Sequence, residues 1–426
     1  MLFHQIILFI SLAAANPLPA KQHFNSKFGT IRTLSSTNCP LTELVHTTKH
    51  IPLQSTKQSS HASRALQTIF RPTNGTAPLV ATAENSGYST ILNFGGKDYS
   101  VIFDTGSSDL WLASSSLKCI GRFHDSLPLS SCNFGPLGPA TFTGGQIPNE
   151  NFNVSYGDGE FVTGVMGRED ICLGGVHVAN QTAALVTTAF WQGDSSTSGL
   201  LGFAYPSLTS AFSGSDPTHD LRGKNNISYT NFIFTAAGRG LIPPLFSLAL
   251  DSEGGALSLG GLPPGVSHGN FSTTDLKIYN LFNLPRPENT YTYYTVDVGD
   301  VSTDDAHAGR DFPAIVDSGT TLSYFSAEVA RNVARAFEGS VFDALTAMWY
   351  VPCNASQPSV TVKLGKGRFG FKEEDLVLQN SRNRFDMCVL GIQEMDGVHI
   401  LGDTFLRGVV AVFDIGANKM RFAQRK

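Results

Sequence analysis

Two short stretches of this chain carry a carboxylate in a setting fit for acid–base chemistry. Val101-Ile102-Phe103 runs into Asp104-Thr105-Gly106-Ser107, and Ala314-Ile315-Val316 runs into Asp317-Ser318-Gly319-Thr320. In each, an apolar strand delivers an aspartate into a tight turn, where glycine permits a backbone path closed to bulkier residues. The hydroxyls that follow are donors able to fix a buried carboxylate. One copy would mean little, because Asp, Thr, Ser and Gly are ordinary turn formers. Two copies are another matter. Each is also followed downstream by an apolar pair before glycine, Leu200-Leu201-Gly202-Phe203 and Ile400-Leu401-Gly402-Asp403, so the chain holds an internal repeat.

Two carboxyls a few ångströms apart cannot both ionise cheaply, so they share one proton and their apparent pKa values split. The ionised member can take a proton from water while its protonated partner polarises a carbonyl. Proton donation to the leaving nitrogen then completes amide cleavage. Such chemistry needs neither a metal nor a covalent acyl-enzyme, and it is most effective in acid. Paired carboxylates also hydrolyse glycosides, and a cleft of this kind in a non-catalytic protein would simply bind peptides. Among the eleven His there is no H-E-x-x-H spacing, and the six Cys form no C-x-x-C pair. Gly254-Gly255 and Gly260-Gly261 lack the context of a phosphate loop. No metal and no cofactor are expected.

The elements that must position these loops are mainly strands. The 426 residues are too many for one simple core. Short apolar runs are interrupted by Ser, Thr and many of the 42 Gly, which favours β structure with frequent turns. Short helices are expected over 230–237, 244–250 and 327–337. The Gly/Pro cluster Gly260-Gly261-Leu262-Pro263-Pro264-Gly265 suggests a boundary between two halves.

The amino-terminal part reads differently. Residues 1–15 form an apolar run ending in Ala13-Ala14-Ala15, which fits a signal peptide and is short for a membrane span. Residues 16–76 carry seven Lys plus Arg and one acid, Glu43, leaving 23 basic and 34 acidic residues in the remainder, a net of −11. The basic residues are dispersed and lack a nucleic-acid recognition motif, so a removable propeptide docked on an acidic body is expected, with a basic tail of no docking role as the alternative. No dibasic Lys-Arg site precedes the body, and the new N-terminus is expected between residues 66 and 78. His23, His46, His50 and His61 lie in this leader. Sequons at Asn74, Asn153, Asn180, Asn226, Asn270 and Asn354 suit a secretory route, ending outside the cell or in a vacuolar or lysosomal lumen. No membrane anchor and no nucleic-acid partner are expected.

VIFDTGSSDLWL (101–112), NVSYGDGEFVTG (153–164), GLLGFAYP (199–206), AIVDSGTTL (314–322) and ILGDTFLRGVVAVFD (400–414) follow one another in an order that resembles the pepsin-like aspartic proteases of secreted eukaryotic, including fungal, type. The likeness runs from about residue 77 to 426. It implies a mainly β, bilobal fold of two β-barrel-like lobes, 77–262 and 263–426, with the cleft between them. It further implies that Asp104 and Asp317 are the catalytic pair, the family being the established example of a shared-proton dyad. Thr105 and Ser318 would cross-link the two loops, Ser107 and Thr320 would hydrogen-bond the outer carboxylate oxygens, and Gly106 and Gly319 would form the turns. Tyr156 resembles a flap tyrosine supported by Trp111, with Gly157, Asp158 and Gly159 at the flap tip. Asp158 is expected to accept a basic side chain beside the cleaved bond, and Asp403 to support the loops.

The resemblance also implies the disulfides Cys119–Cys132, closing a longer loop than is usual in the family, and Cys353–Cys388, each stabilising by roughly 2–4 kcal/mol. Cys39 and Cys172 either bridge leader to body or stay unpaired. The implied protein is a monomeric endopeptidase made as a zymogen. It would act on protein or peptide substrates between bulky apolar residues, with its own propeptide as inhibitor.

Overall fold

The computed structural model describes residues 76–81, 87–279, 290–304 and 306–426. The expected signal peptide, residues 16–75 of the leader, Cys39 and Asn74 lie outside the described residues.

Strands carry the architecture. A 16-stranded sheet runs through the amino-terminal half and across into strands from the end of the chain, and an 8-stranded and a 4-stranded sheet build the carboxy-terminal half. The first hairpin pairs Tyr88–Phe94 with Lys97–Asp104. Its two-residue turn, Gly95-Gly96, takes φ of +60° and +85°, the left-handed backbone that matches the twist of the strands it joins. Within Lys97–Asp104 the pattern ends in four buried positions, since this strand lies in the middle of the sheet with both faces covered.

The repeat seen in the sequence is a repeat in space. Lys97–Asp104 lies parallel to Gly199–Gly202, with Asp104 opposite Gly202. Phe312–Val316 lies parallel to Ile400–Leu401 in the same manner. The second apolar-glycine element of each half is therefore the strand that braces the aspartate. Gly202 and Gly402 are required by close approach: a Cβ on Gly202 would come within 2.6 Å of the Ser107 carbonyl, and one on Gly402 within 2.5 Å of the Thr320 oxygen.

The seam between the halves is a run of antiparallel strands: Thr76–Ala81, Gly254–Leu259, Phe246–Asp251, Val409–Asp414, Lys419–Gln424 and Ser272–Asp275. Phe246 stacks on Phe413 at 4.4 Å, with the rings 7° from parallel. Here one expectation is corrected. Residues 244–250 are not a helix; Phe246–Asp251 is a strand, buried at five of its six positions. Phe246, Leu248 and Leu250 alternate with Ser247, Ala249 and Asp251, the period of a strand rather than of a helix, and the neighbouring ladders on both sides decide. The other two helices form, as Phe232–Gly238 capped by Asn231 and Ala327–Arg335 capped by Ser326.

The Gly/Pro cluster does follow a strand end, with positive φ at Gly260 and Gly265. Both disulfides are formed, Cys119–Cys132 and Cys353–Cys388; Cys172 is half-buried and in no disulfide among the described residues. Of the described sequons, Asn180, Asn270 and Asn354 are exposed, whereas Asn153 and Asn226 are half-buried. The Asn153 amide donates to the Pro217 carbonyl and to Asp220, contacts that a glycan there would displace.

Candidate active site

The two repeats bring their aspartates to one place. Asp104 and Asp317 are both fully buried. Each is held by its own loop in the same way. The Gly106 amide donates to Asp104 Oδ1 at 2.6 Å and the Ser107 hydroxyl donates to Oδ2. The Gly319 amide donates to Asp317 Oδ1 at 2.8 Å and the Thr320 hydroxyl to Oδ2 at 2.6 Å.

The two glycines show how close the halves come. A Cβ on Gly106 would collide with the Asp317 carboxyl, and a Cβ on Gly319 would collide with that of Asp104. Only a residue without a side chain lets either loop reach the other carboxyl. The loops are also tied directly. The Thr105 amide donates to the Ser318 hydroxyl at 3.2 Å, the Ser318 amide donates to the Thr105 hydroxyl at 2.9 Å, and that hydroxyl donates on to the Val316 carbonyl. Burial pushes both carboxyls above the ordinary carboxylate range, and for Asp104 the adjacent Asp317 adds to the effect. A buried pair of this kind keeps a proton where a lone exposed aspartate would have lost it.

Over this floor stands a hairpin made by Gln146–Ser155 and Phe161–Leu173. Its tip closes through the Tyr156 amide on the Glu160 carbonyl at 2.8 Å, with Gly159 at φ +93°. Tyr156 is buried, and its hydroxyl accepts from the Trp111 indole N–H at 2.8 Å. Trp191, which local reading of the sequence passes over, packs edge-on against both rings at 5.2 and 5.7 Å. Phe134 stacks on Trp191 at 5.8 Å and completes the cluster. Asp158 is exposed, and its Oδ1 accepts the Glu160 amide. Glu160 was not anticipated either. It is buried, its Oε1 accepts the Gln192 amide at 2.5 Å, and burial followed by the nearby Asp158 pushes its carboxyl well up.

Asp403 sits behind the second loop, its amide bonded to the Thr320 carbonyl at 2.9 Å. Its carboxyl is fully buried, and neither oxygen has a hydrogen-bond partner among the described residues. Burial pushes its pKa well up; Arg407 opposes this, while Asp317, Asp375 and Asp104 add to it. An uncharged carboxyl is the form that such a site tolerates. Arg407, one turn on, is itself 2% exposed; its Nε donates to the Tyr88 hydroxyl at 2.7 Å and its guanidinium pairs with Asp375 at 2.8 Å. Among the described residues no three His, Cys, Asp or Glu side chains gather as metal ligands.

The profile of the eukaryotic aspartyl protease family matches residues 88–425. The chain belongs to that family. A probable aspartic-type endopeptidase of Aspergillus fumigatus is 35% identical over 99% of this chain and 98% of its own length. Penicillopepsin-1 of Penicillium janthinellum is 26% identical over 82% of this chain and 98% of the relative, and secreted aspartic protease 3 of Candida albicans is 28% identical over 82% of each. The crystal structure of an aspartic proteinase from Irpex lacteus superposes with a TM-score of 0.63 at 18% identity, covering 83% of this chain and 97% of that one. This eukaryotic aspartyl protease is thus an aspartic-type endopeptidase acting on peptide substrates, with the pepsin-like fold that the motifs implied.

Proposed function

We propose that the protein is an exported, acid-acting endopeptidase, made as a zymogen, that cuts peptide bonds flanked by bulky apolar residues. Water activated between Asp104 and Asp317 is the nucleophile. The observation that supports this most is the reciprocal contact of Gly106 with the Asp317 carboxyl and Gly319 with that of Asp104. The ionised carboxylate takes a proton from water, the protonated one hydrogen-bonds the scissile carbonyl, and proton return to the nitrogen expels the amine. Tyr156 and the turn Gly157–Gly159 cover the substrate backbone, and Asp158 accepts a basic side chain beside the cut.

Acid dependence follows from the buried carboxyls. Unfolded aspartates and glutamates lose their protons near pH 4. In the folded protein, burial raises Asp104, Asp109, Asp317, Asp403 and Glu160. Above about pH 4 the native state therefore holds more protons than the unfolded chain, so stability is greatest in acid and falls as pH climbs through the raised values. Loss of the shared proton removes activity over the same rise. Digestion of a peptide library at several pH values, with and without pepstatin, tests the reading. Pepstatin-sensitive cleavage between apolar residues, and after Lys in wild type but not in Asp158→Ala, is expected to peak in acid. Hydrolysis that peaks at neutral pH, or ignores pepstatin, would reject it.

The leader, residues 16–76, is proposed to lie over the acidic body until protonation of the body's carboxylates weakens the attraction. Its four histidines, His23, His46, His50 and His61, gain positive charge over the same descent, so release rests on the loss of the body's carboxylate charge and not on the leader's own titration. Pairing of Thr76 with Ser258 at the start of the first strand favours a cut on its amino-terminal side, within the range 66–78. Purified precursor is expected to convert faster at about pH 4 than at about pH 7; equal rates would exclude a charge-held leader. Export agrees with the Candida relatives, which are named as secreted, with a vacuolar lumen as the other destination for fractionation to test.

A further inference from the structure

The loop closed by Cys119–Cys132, thirteen residues apart, leans on the flap tip. Its turn is internally fixed, with the Gly121 amide bonded to the Asp125 carbonyl at 2.8 Å and the His124 amide to the Gly121 carbonyl at 2.9 Å. His124 adopts φ +63°, and its ring lies 5.2 Å from that of Phe161, the first residue of the flap's returning strand. Beside it, the Arg122 guanidinium is near enough to Gly159 that a Cβ there would sit 3.4 Å from Nη2. Arg122 is exposed and forms no hydrogen bond or ion pair among the described residues. Phe123, next along, is 89% exposed.

A guanidinium presents five donors in a planar fork suited to a carboxylate. Arg122 spends none of them on the fold among the described residues, yet its loop is closed by a disulfide and touches the flap through the His124–Phe161 ring contact. The other charged or titratable groups nearby are His124 and Asp125 on the same loop and Asp158 and Glu160 on the flap. Asp125 folds back over Gly121, Glu160 is buried, and Asp158 has its Oδ1 engaged by the Glu160 amide. Arg122 is thus an exposed cation beside Gly159 at the flap tip.

We propose that Arg122 is a specificity-determining residue that reads a carboxylate on the peptide substrate, at one position beside the scissile bond. The proposal rests on the protease reading above. Substrate recognition by Arg122 is strong only while that carboxylate is ionised, so the preference itself depends on pH.

The test is a peptide series with a fixed apolar cleavage site and Gln, Glu or cysteic acid placed in turn at each flanking position. At about pH 5 the Glu and cysteate peptides are expected to exceed the Gln peptide in kcat/KM by about three- to fivefold at one position, the size of an exposed ion pair. At about pH 3 the Glu advantage should vanish, because that side chain is protonated, while the cysteate advantage remains. Arg122→Gln is expected to level the ratios and Arg122→Glu to reverse them, with His124→Gln leaving them in place and the Gln peptide cut by all variants. An acidic preference found at no position, or one that survives in Arg122→Gln, overturns the proposal. A wild type that cuts none of the peptides would instead sink the protease reading, and this inference with it.

Discussion

Asp104→Asn enzyme, processed and folded, is expected to lose about two to four orders of magnitude in kcat, the range spanned by a positioned acid–base group. The loss should appear in kcat and leave KM within a few-fold, because an interaction used only in the transition state has been removed. The fold should survive. Asparagine keeps the shape of the side chain: its oxygen can still accept from the Gly106 amide, and its NH2, in place of the other oxygen, can donate to the Ser107 hydroxyl once that hydroxyl rotates, while the repulsion from Asp317 disappears. The variant should therefore retain more of its stability than wild type as pH rises, since one burial-raised carboxyl no longer has to ionise in the native state. Asp317→Asn is expected to match it, and the double variant to be scarcely worse than either single one, as groups acting as a unit are not additive. Steady-state kinetics with an internally quenched peptide, alongside thermal melts, measures both. Near-normal turnover by either single variant would remove the dyad from the chemistry.

Arg407→Met is expected to cost about 3–5 kcal/mol of stability, the usual penalty for stripping one partner from a buried ion pair. Arg407 and Asp375 are each almost wholly buried and meet at 2.8 Å. Removing the guanidinium strands the Asp375 carboxylate, and it also takes the donor from the Tyr88 hydroxyl, which bonds onward to the Asp251 carbonyl at 2.8 Å. Three parts of the chain are tied through this one side chain. The Arg407→Met/Asp375→Leu double variant should recover much of the loss, because an apolar pair of similar volume avoids the desolvation that the ion pair had to overcome. Urea midpoints for the wild type, both single variants and the double variant would show this. A single variant with an unchanged midpoint would mean that the pair contributes little.

How much of this was legible beforehand depends on whether a signal is local. The aspartate loops were visible because strand, turn and hydroxyls are consecutive in the chain, and because the same arrangement occurs twice. Tyr156 and Trp111 were assigned through the family likeness, and they are hydrogen-bonded as that likeness implied. The strand Phe246–Asp251 was misread although Phe246, Leu248 and Leu250 alternate with Ser247, Ala249 and Asp251, because six residues are too few for that period to outweigh the leucines and alanine; its identity is fixed by partners more than a hundred residues away as well as by its own hairpin. Trp191 gave no warning, since nothing in its surroundings in the chain announces contact with Trp111. The same holds for Arg407, whose carboxylate partner lies 32 residues earlier and whose phenol partner lies 319 residues earlier. Pairs fixed only by tertiary packing leave no spacing to recognise.

The strands that join the halves come from opposite ends of the sequence. Val409–Asp414 lies against Phe246–Asp251, and Thr76–Ala81 lies on the far side of Gly254–Leu259. The molecule therefore cannot be divided at the Gly/Pro turn into two self-sufficient fragments. A piece ending at 262 would bare the unpaired edge of a strand buried at five of its six positions, a template for clumping. Evolutionary or laboratory dissection of this enzyme into single-aspartate units would first have to blunt that edge.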